Sequence, residues 1–293
     1  MTESIVHAHG LTKSYGRTRV LDGIDLDVPA GSVVGLLGRN GEGKTTFLKC
    51  LLGLLRRDDG DARLFGRDSW NLDPDTKARI GYVAQDVDLH GWLTVEDTIG
   101  YVGSFYPLWN QNFALETLRA WKLDPQAQVK SLSRGERQKL GILLALGHEP
   151  ELLVLDEPAA SLDPASRREF LATVLERVAD LEQTVLFSTH ITSDVERIAD
   201  RVVVLKDGRI RLDEDLDTLK SSMKRVRLIG RVDLPRDLTV DGALNVRVRG
   251  NEAMVAVPSA DDGLLRRLES TWDARAEIQD LNLEDIFLEL HRD

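Results

Sequence analysis

The sequence predicts an α/β fold around a mostly parallel sheet, followed by a small α+β domain. Three observations predict it. Short apolar runs at Val33 to Leu37, Leu152 to Leu155 and Thr184 to Phe187 read as strands buried on both faces. Between the last two, Ala165 to Leu181 reads as a crossover helix, which is the connection a parallel pair requires. After about Ser221 the pattern changes to short alternating strands and amphipathic helices. The expected boundaries are therefore 1–220 and 221–293, with a helical subdomain over about 92–150 inside the first.

Taken in order, Ile5 to His9 alternates weakly and Val20 to Val28 more clearly, as short strands do. The run at Val33 to Leu37 leads through a glycine-rich loop into a helix expected over Thr45 to Leu55. Ala62 to Phe65 and Ile80 to Val83 are further strand candidates. From Thr94 to Ala127 the pattern is helical, and Trp92, Tyr101, Phe105, Tyr106, Trp109, Phe113 and Trp121 gather there. The expectation is an aromatic core for a helical subdomain. Lys206-Asp207-Gly208-Arg209 reads as a tight hairpin turn. Beyond it, Val226 to Ile229, Ala253 to Val257 and Ala274 to Leu281 read as strands, with helices over 261–271 and Leu283 to Leu290.

The chain has 293 residues, 42% of them hydrophobic and 30% charged, enough to bury a core without covalent staples. Its formal net charge of −11 argues against nucleic acid or a bare anionic membrane as main partner. The single cysteine, Cys50, excludes an intrachain disulfide and fits a reducing cytosol. Met1-Thr2-Glu3-Ser4 lacks the apolar stretch of a signal peptide, and no apolar run reaches membrane-spanning length. Work at a membrane would require another chain to provide the span.

Gly38-Arg39-Asn40-Gly41-Glu42-Gly43-Lys44-Thr45 matches the phosphate-binding pattern G-x-x-x-x-G-K-[ST] in the required context, after a strand and before a helix. Its glycines let backbone N–H groups wrap phosphates, Lys44 pairs with the β- and γ-phosphates, and the Thr45 hydroxyl sits on Mg²⁺. Thr46 is an expected α-phosphate contact. Asp156, at the end of the run from Leu152, stands where a Mg²⁺ partner belongs, and Glu157 is placed to take a proton from water. An N-cap is the competing reading of this acid pair. In Leu132-Ser133-Arg134-Gly135-Glu136, Ser133 and Gly135 open a helix whose N–H groups and positive end suit an anion. A second anion site beside a complete first one suggests two chains sharing one ATP.

These motifs, in this order and spacing, resemble the ATP-binding cassette (ABC) family, whose signature segment commonly reads LSGGQ. Here Arg134 and Glu136 occupy the two departing positions, and Glu136, an acid where the family usually has a neutral amide, is expected either to weaken the closed dimer slightly or to pair with Arg134 or Arg137. The resemblance covers about residues 4–220. It implies a P-loop NTPase (RecA-like) core with an antiparallel β subdomain and a helical subdomain. It also assigns Gln85 to the glutamine loop that touches Mg²⁺ or water, Ser161-Leu162-Asp163 to the segment crossing a dimer interface, and His190 to the switch that contacts the γ-phosphate. Tyr15 resembles the aromatic on which the family stacks adenine; an ordinary edge-strand tyrosine is its alternative reading.

The resemblance implies a head-to-tail dimer with two ATP and Mg²⁺ at its interface, working on a separate integral membrane permease. The chain would then be cytoplasmic, held at the inner face of the cell membrane by that partner. Leu283 to Leu290 resembles the tail of ABC-2-type exporter ATPases, which points to export; as a bare pattern it is also an amphipathic helix. A soluble ABC ATPase with an assembly role is the alternative. A scaffold without catalysis conflicts with intact Lys44, Asp156, Glu157 and His190.

Overall fold

The computed structural model describes residues 4–160 and 162–291. The chain divides into two compact units, Met1–Ile210 and Arg211–Asp293. The first runs β1 (Ser4–Tyr15), β2 (Thr18–Pro29), β3 (Val33–Leu37), α1 (Lys44–Leu51), β4 (Asp59–Leu64), β5 (Arg67–Asp68), α2 (Pro74–Ala78), β6 (Ile80–Val83), α3 (Val95–Gly103), α4 (Gln111–Ala120), α5 (Arg134–Leu146), β7 (Leu152–Asp156), α6 (Pro164–Leu181), β8 (Thr184–Thr189), α7 (Thr192–Ile198) and β9 (Arg201–Lys206). Strand β10 (Arg209–Asp215) carries the chain into the second unit. That unit holds α8 (Leu216–Ser222), β11 (Lys224–Gly230), β12 (Asn245–Arg249), β13 (Glu252–Val257), α9 (Asp262–Trp272), β14 (Ala274–Asp280) and α10 (Leu283–His291).

The expected class holds: the first unit is α/β. Its six-stranded sheet is ordered β10-β9-β3-β8-β7-β6, and β9, β3, β8, β7 and β6 are parallel. Strands β3, β7 and β8 are buried along their whole length, as two-sided cover demands. A second, antiparallel sheet, β2-β1-β4-β5, packs through Val6, Leu11, Leu21 and Ile24 into one core with Phe47, Leu48 and Leu51 of α1 and Val34, Leu36, Val154 and Leu186 of the parallel sheet.

Four features differ from the sequence expectation. Helix α1 stops at Leu51, short of Leu55. The chain turns at Gly53 (φ +68), where a Cβ would lie 1.9 Å from the Ser69 carbonyl oxygen, and the N–H groups of Leu54 and Leu55 fold back to Lys49 O. The aromatic core is only partial. Phe113 and Trp121 are buried, but Trp92 is 70% and Phe105 64% exposed, because α3 buries the face of Val95, Thr98 and Ile99 instead. Strand β12 has no counterpart among the strands the sequence pattern predicts, since its arginines disguise the alternation of Val246 and Val248. The compact units divide at Ile210/Arg211, inside β10 and ahead of the composition change near 220.

After α5, His148 is buried, stacks on Tyr106 at 4.0 Å between ring centroids, and bonds Ile80 O at 3.2 Å. Burial lowers its pKa below the ordinary histidine value, so the folded state favours the neutral ring. Its stabilising contribution is complete above about pH 6.5, the unfolded value, and is lost as pH falls through the lower folded pKa. Melting temperature should therefore drop on acidification below about pH 6.5, and His148→Phe should reduce that drop. An acid limb identical in the variant would disprove the assignment.

Candidate functional site

The site forms because four parallel strands end together. Register pairs Leu37 of β3 with Thr189 of β8, Asp156 of β7 with Ser188, and Val83 of β6 with Leu155 of β7. The phosphate loop, Glu157, His190 and Gln85 each follow one of these strand ends. This is the carboxyl edge, where ligands bind in open α/β sheets. Asn40, Gly41, Gly43, Lys44, Thr45, Thr46, Gln85 and Glu157 line one cleft of about 500 Å³, together with Val20.

Gly43 caps α1 with φ +103, and Gly41 has φ +89, conformations that side chains resist. Gly38 has no room for a Cβ, which would meet Leu205 O at 2.8 Å. Its N–H donates to Thr189 O (3.2 Å), so the loop hangs from β8. Lys44 is only 6% exposed. Its ammonium donates to Gly38 O (2.7 Å) and Arg39 O (3.1 Å) and lies 3.1 Å from Glu157 Oε1. The Glu42 side chain turns the other way and accepts the Asp207 N–H (2.5 Å), bracing the loop against the β9–β10 turn. Any contribution of Glu42 to phosphate is thus through its backbone.

Glu157 is likewise 6% exposed and sits in the left-handed region, φ +48, unusual for a glutamate. Its N–H is shared by Ser188 O (3.2 Å) and Ser188 Oγ (3.0 Å), which hold the strained turn in place. Its carboxylate is bracketed by Lys44 on Oε1 and His190 Nδ1 on Oε2 (2.9 Å). Ser188 Oγ also donates to Asp156 Oδ1 (2.6 Å). Sequence reasoning passed over Ser188, although a serine closing the strand beside the acidic pair was a readable signal.

Asp156 is fully buried, and its Oδ2 has no hydrogen-bond partner among the described residues. An orphaned carboxylate oxygen, in a donor set of carboxylate, hydroxyl and amide oxygens, fits a hard divalent cation such as Mg²⁺.

The remaining expected residues stand apart from the cleft. Tyr15, at the end of β1, is 52% exposed, with Lys13 Nζ over its ring at 5.9 Å from the centroid. Ser133 is exposed at the N-cap of α5. Its hydroxyl accepts the Glu136 N–H (3.2 Å) and its N–H donates to Glu136 Oε2 (2.8 Å), a closed capping box that holds the Glu136 pKa below the usual range. Glu136 is therefore committed to its own cap. Arg134 instead pairs with Asp86 at 2.8 Å, one residue past Gln85, which corrects the expected Glu136–Arg134 or Glu136–Arg137 pairing. Asp163 Oδ1 caps α6 through the N–H groups of Ala165 and Ser166. Ser161 lies outside the described residues.

A phosphate loop, buried acids and a cation site at the carboxyl edge of a parallel sheet define a P-loop nucleotide hydrolase. Residues 21–160 match the family described as ABC transporter. The chain is 31% identical to the bacitracin transport ATP-binding protein BcrA of Bacillus licheniformis, over 76% of this chain and 73% of that one. It is 36% identical to the daunorubicin/doxorubicin resistance ATP-binding protein DrrA of Streptomyces peucetius, over 74% and 67%. A dimeric ATP-binding cassette, MJ0796, bound to ADP and Pi in a post-hydrolysis state superposes with a TM-score of 0.65 at 25% identity, covering 72% of this chain and 98% of that one. The chain belongs to the ABC transporter ATP-binding family: it is an ATP-hydrolysing subunit that uses ATP with Mg²⁺. No helix among the described residues is long and apolar enough to cross a membrane.

Proposed function

We propose that the chain powers an exporter as a head-to-tail homodimer, placed at the cytoplasmic face of the membrane by a separate permease. The observation that carries the dimer is the content of the cleft. It gathers Lys44, Thr45, Thr46, Gln85 and Glu157, while Ser133, exposed, and Gly135, half-buried, open another helix. A γ-phosphate held by one copy's Lys44 and His190 would be completed by Ser133 and Gly135 of the second copy, with Asp163 at the same interface. Export is supported by the tail helix and by the transport and drug-resistance names of two relatives.

In this reading Tyr15 stacks on adenine, and the N–H groups from Gly38 to Gly43 and the Thr46 hydroxyl grip phosphate. Thr45, Gln85 and Asp156 would hold Mg²⁺, which would supply positive charge to offset that of the phosphates. Lys44 exchanges its carbonyl partners for phosphate oxygens. Glu157 accepts a proton from water as the new P–O bond forms and the bond to ADP breaks, while His190 orients that carboxylate. Ser133→Arg should abolish ATP-dependent dimerisation in light scattering and leave single-chain ATP affinity within about twofold. Dimers of wild-type strength in that variant would sink the trans role.

A further inference from the structure

The C-terminal unit has a chemistry of its own. Its sheet, ordered β12-β13-β11-β14, buries Val226, Leu228, Val255 and Val257 on one face, where Leu264, Leu265 and Leu268 of α9 pack. Side chains alternate along strands, so Arg225, Arg227, Arg247 and Arg249 project together from the opposite face. Register aligns them: Arg227 and Arg247 both pair with Met254, and Arg249 pairs with Glu252. Four guanidiniums on a sheet face that also carries α10 are not required by the core, which is closed on the other side.

Helix α10 fixes two of them. Glu289, 2% exposed, accepts from Arg225 (2.8 Å) and Arg247 (2.6 Å), and Asp285 accepts from Arg225 (3.1 Å). Glu252 is occupied by Arg227 at 2.6 Å. Arg247 thus commits one N–H group to an acceptor, and Arg249 commits none among the described residues. Both line a cavity of about 380 Å³ with Arg225, Glu252, Met254 and Asp285.

We propose that this cavity is a second ligand site, for a small organic molecule with one oxyanion head, a carboxylate or a phosphate ester. The guanidinium fork matches paired oxygens, and the buried Glu289 holds the fork in place before any ligand arrives. Met254 supplies an apolar, adaptable contact for the organic part. The volume suits a small organic molecule better than a bare ion. Glu252 and Asp285 in the lining repel a polyanion, which separates this site from the triphosphate cleft of the first unit.

The test is calorimetric titration of the full chain with benzoate, phenyl phosphate and inorganic phosphate at constant ionic strength. Saturable binding of benzoate or phenyl phosphate is expected, the preferred probe identifying the head group, with inorganic phosphate at least tenfold weaker. Arg249→Gln should weaken the organic probe by about tenfold and leave ATP turnover unchanged. Arg247→Lys keeps a cation beside Glu289 and should also weaken it, through loss of the fork. No saturable binding of either organic probe would overturn the proposal, as would inorganic phosphate binding equally well or affinities unchanged in both variants.

Discussion

Glu157→Gln should lower ATP turnover by at least about a hundredfold, the range for removing a positioned general base. Nucleotide affinity should hold or rise. Glu157 Oε1 lies against the Lys44 ammonium and Oε2 against His190. A neutral amide holds the ammonium less strongly and leaves Lys44 freer for phosphate. With chemistry blocked and binding intact, an ATP-bound dimer should accumulate, seen as a doubled mass in light scattering. Turnover at the wild-type rate would remove Glu157 from the role of base.

Lys44→Met should act on stability as well as on binding. Lys44 and Glu157 are both almost fully buried, so removing the cation strands a carboxylate in a low-dielectric site. Breaking such pairs costs about 3–5 kcal/mol. His190 still faces Glu157, which favours the lower end. For a unit of this size, about 3 kcal/mol corresponds to a melting point lower by roughly 6–12 °C. The ligand-free variant should show that loss and bind no ATP. Adding Glu157→Gln should restore most of the melting point but none of the binding. A single variant that melts with the wild type would show that the pair carries no stability.

Much of this arrangement was legible in the sequence because it rests on local rules. A strand, a glycine loop and a helix announce the phosphate site, and Leu152 to Leu155 followed by two acids announces the second strand end. The strand neighbours that bring Glu157 beside Lys44 are not local. Ser188 gains its role only because β8 lies between β3 and β7, so that its hydroxyl meets Asp156 and the Glu157 N–H. Arg134 reads as a bare charge until folding brings Asp86 to it. Glu136 was read by its charge, whereas its geometry as the third helical residue decided its partner. The aromatic cluster misled because helical spacing does not say which face of α3 the rest of the unit covers.

The pairing of β3 has a consequence for how the chain is made. Its neighbours β8 and β9 lie about 150 residues downstream, with Val33 opposite Val185 and Val34 opposite Arg201. At about 5–20 residues per second, Leu205 leaves the ribosome roughly ten to thirty seconds after Leu37. During that interval β3 is an apolar strand with two unpaired edges, the kind that invites aggregation. The Gly38 N–H likewise has no Thr189 carbonyl to hang from. ATP can be gripped only by a chain that has delivered its late strands, so nucleotide capture marks the arrival of β8 and β9 as well as the start of the working cycle.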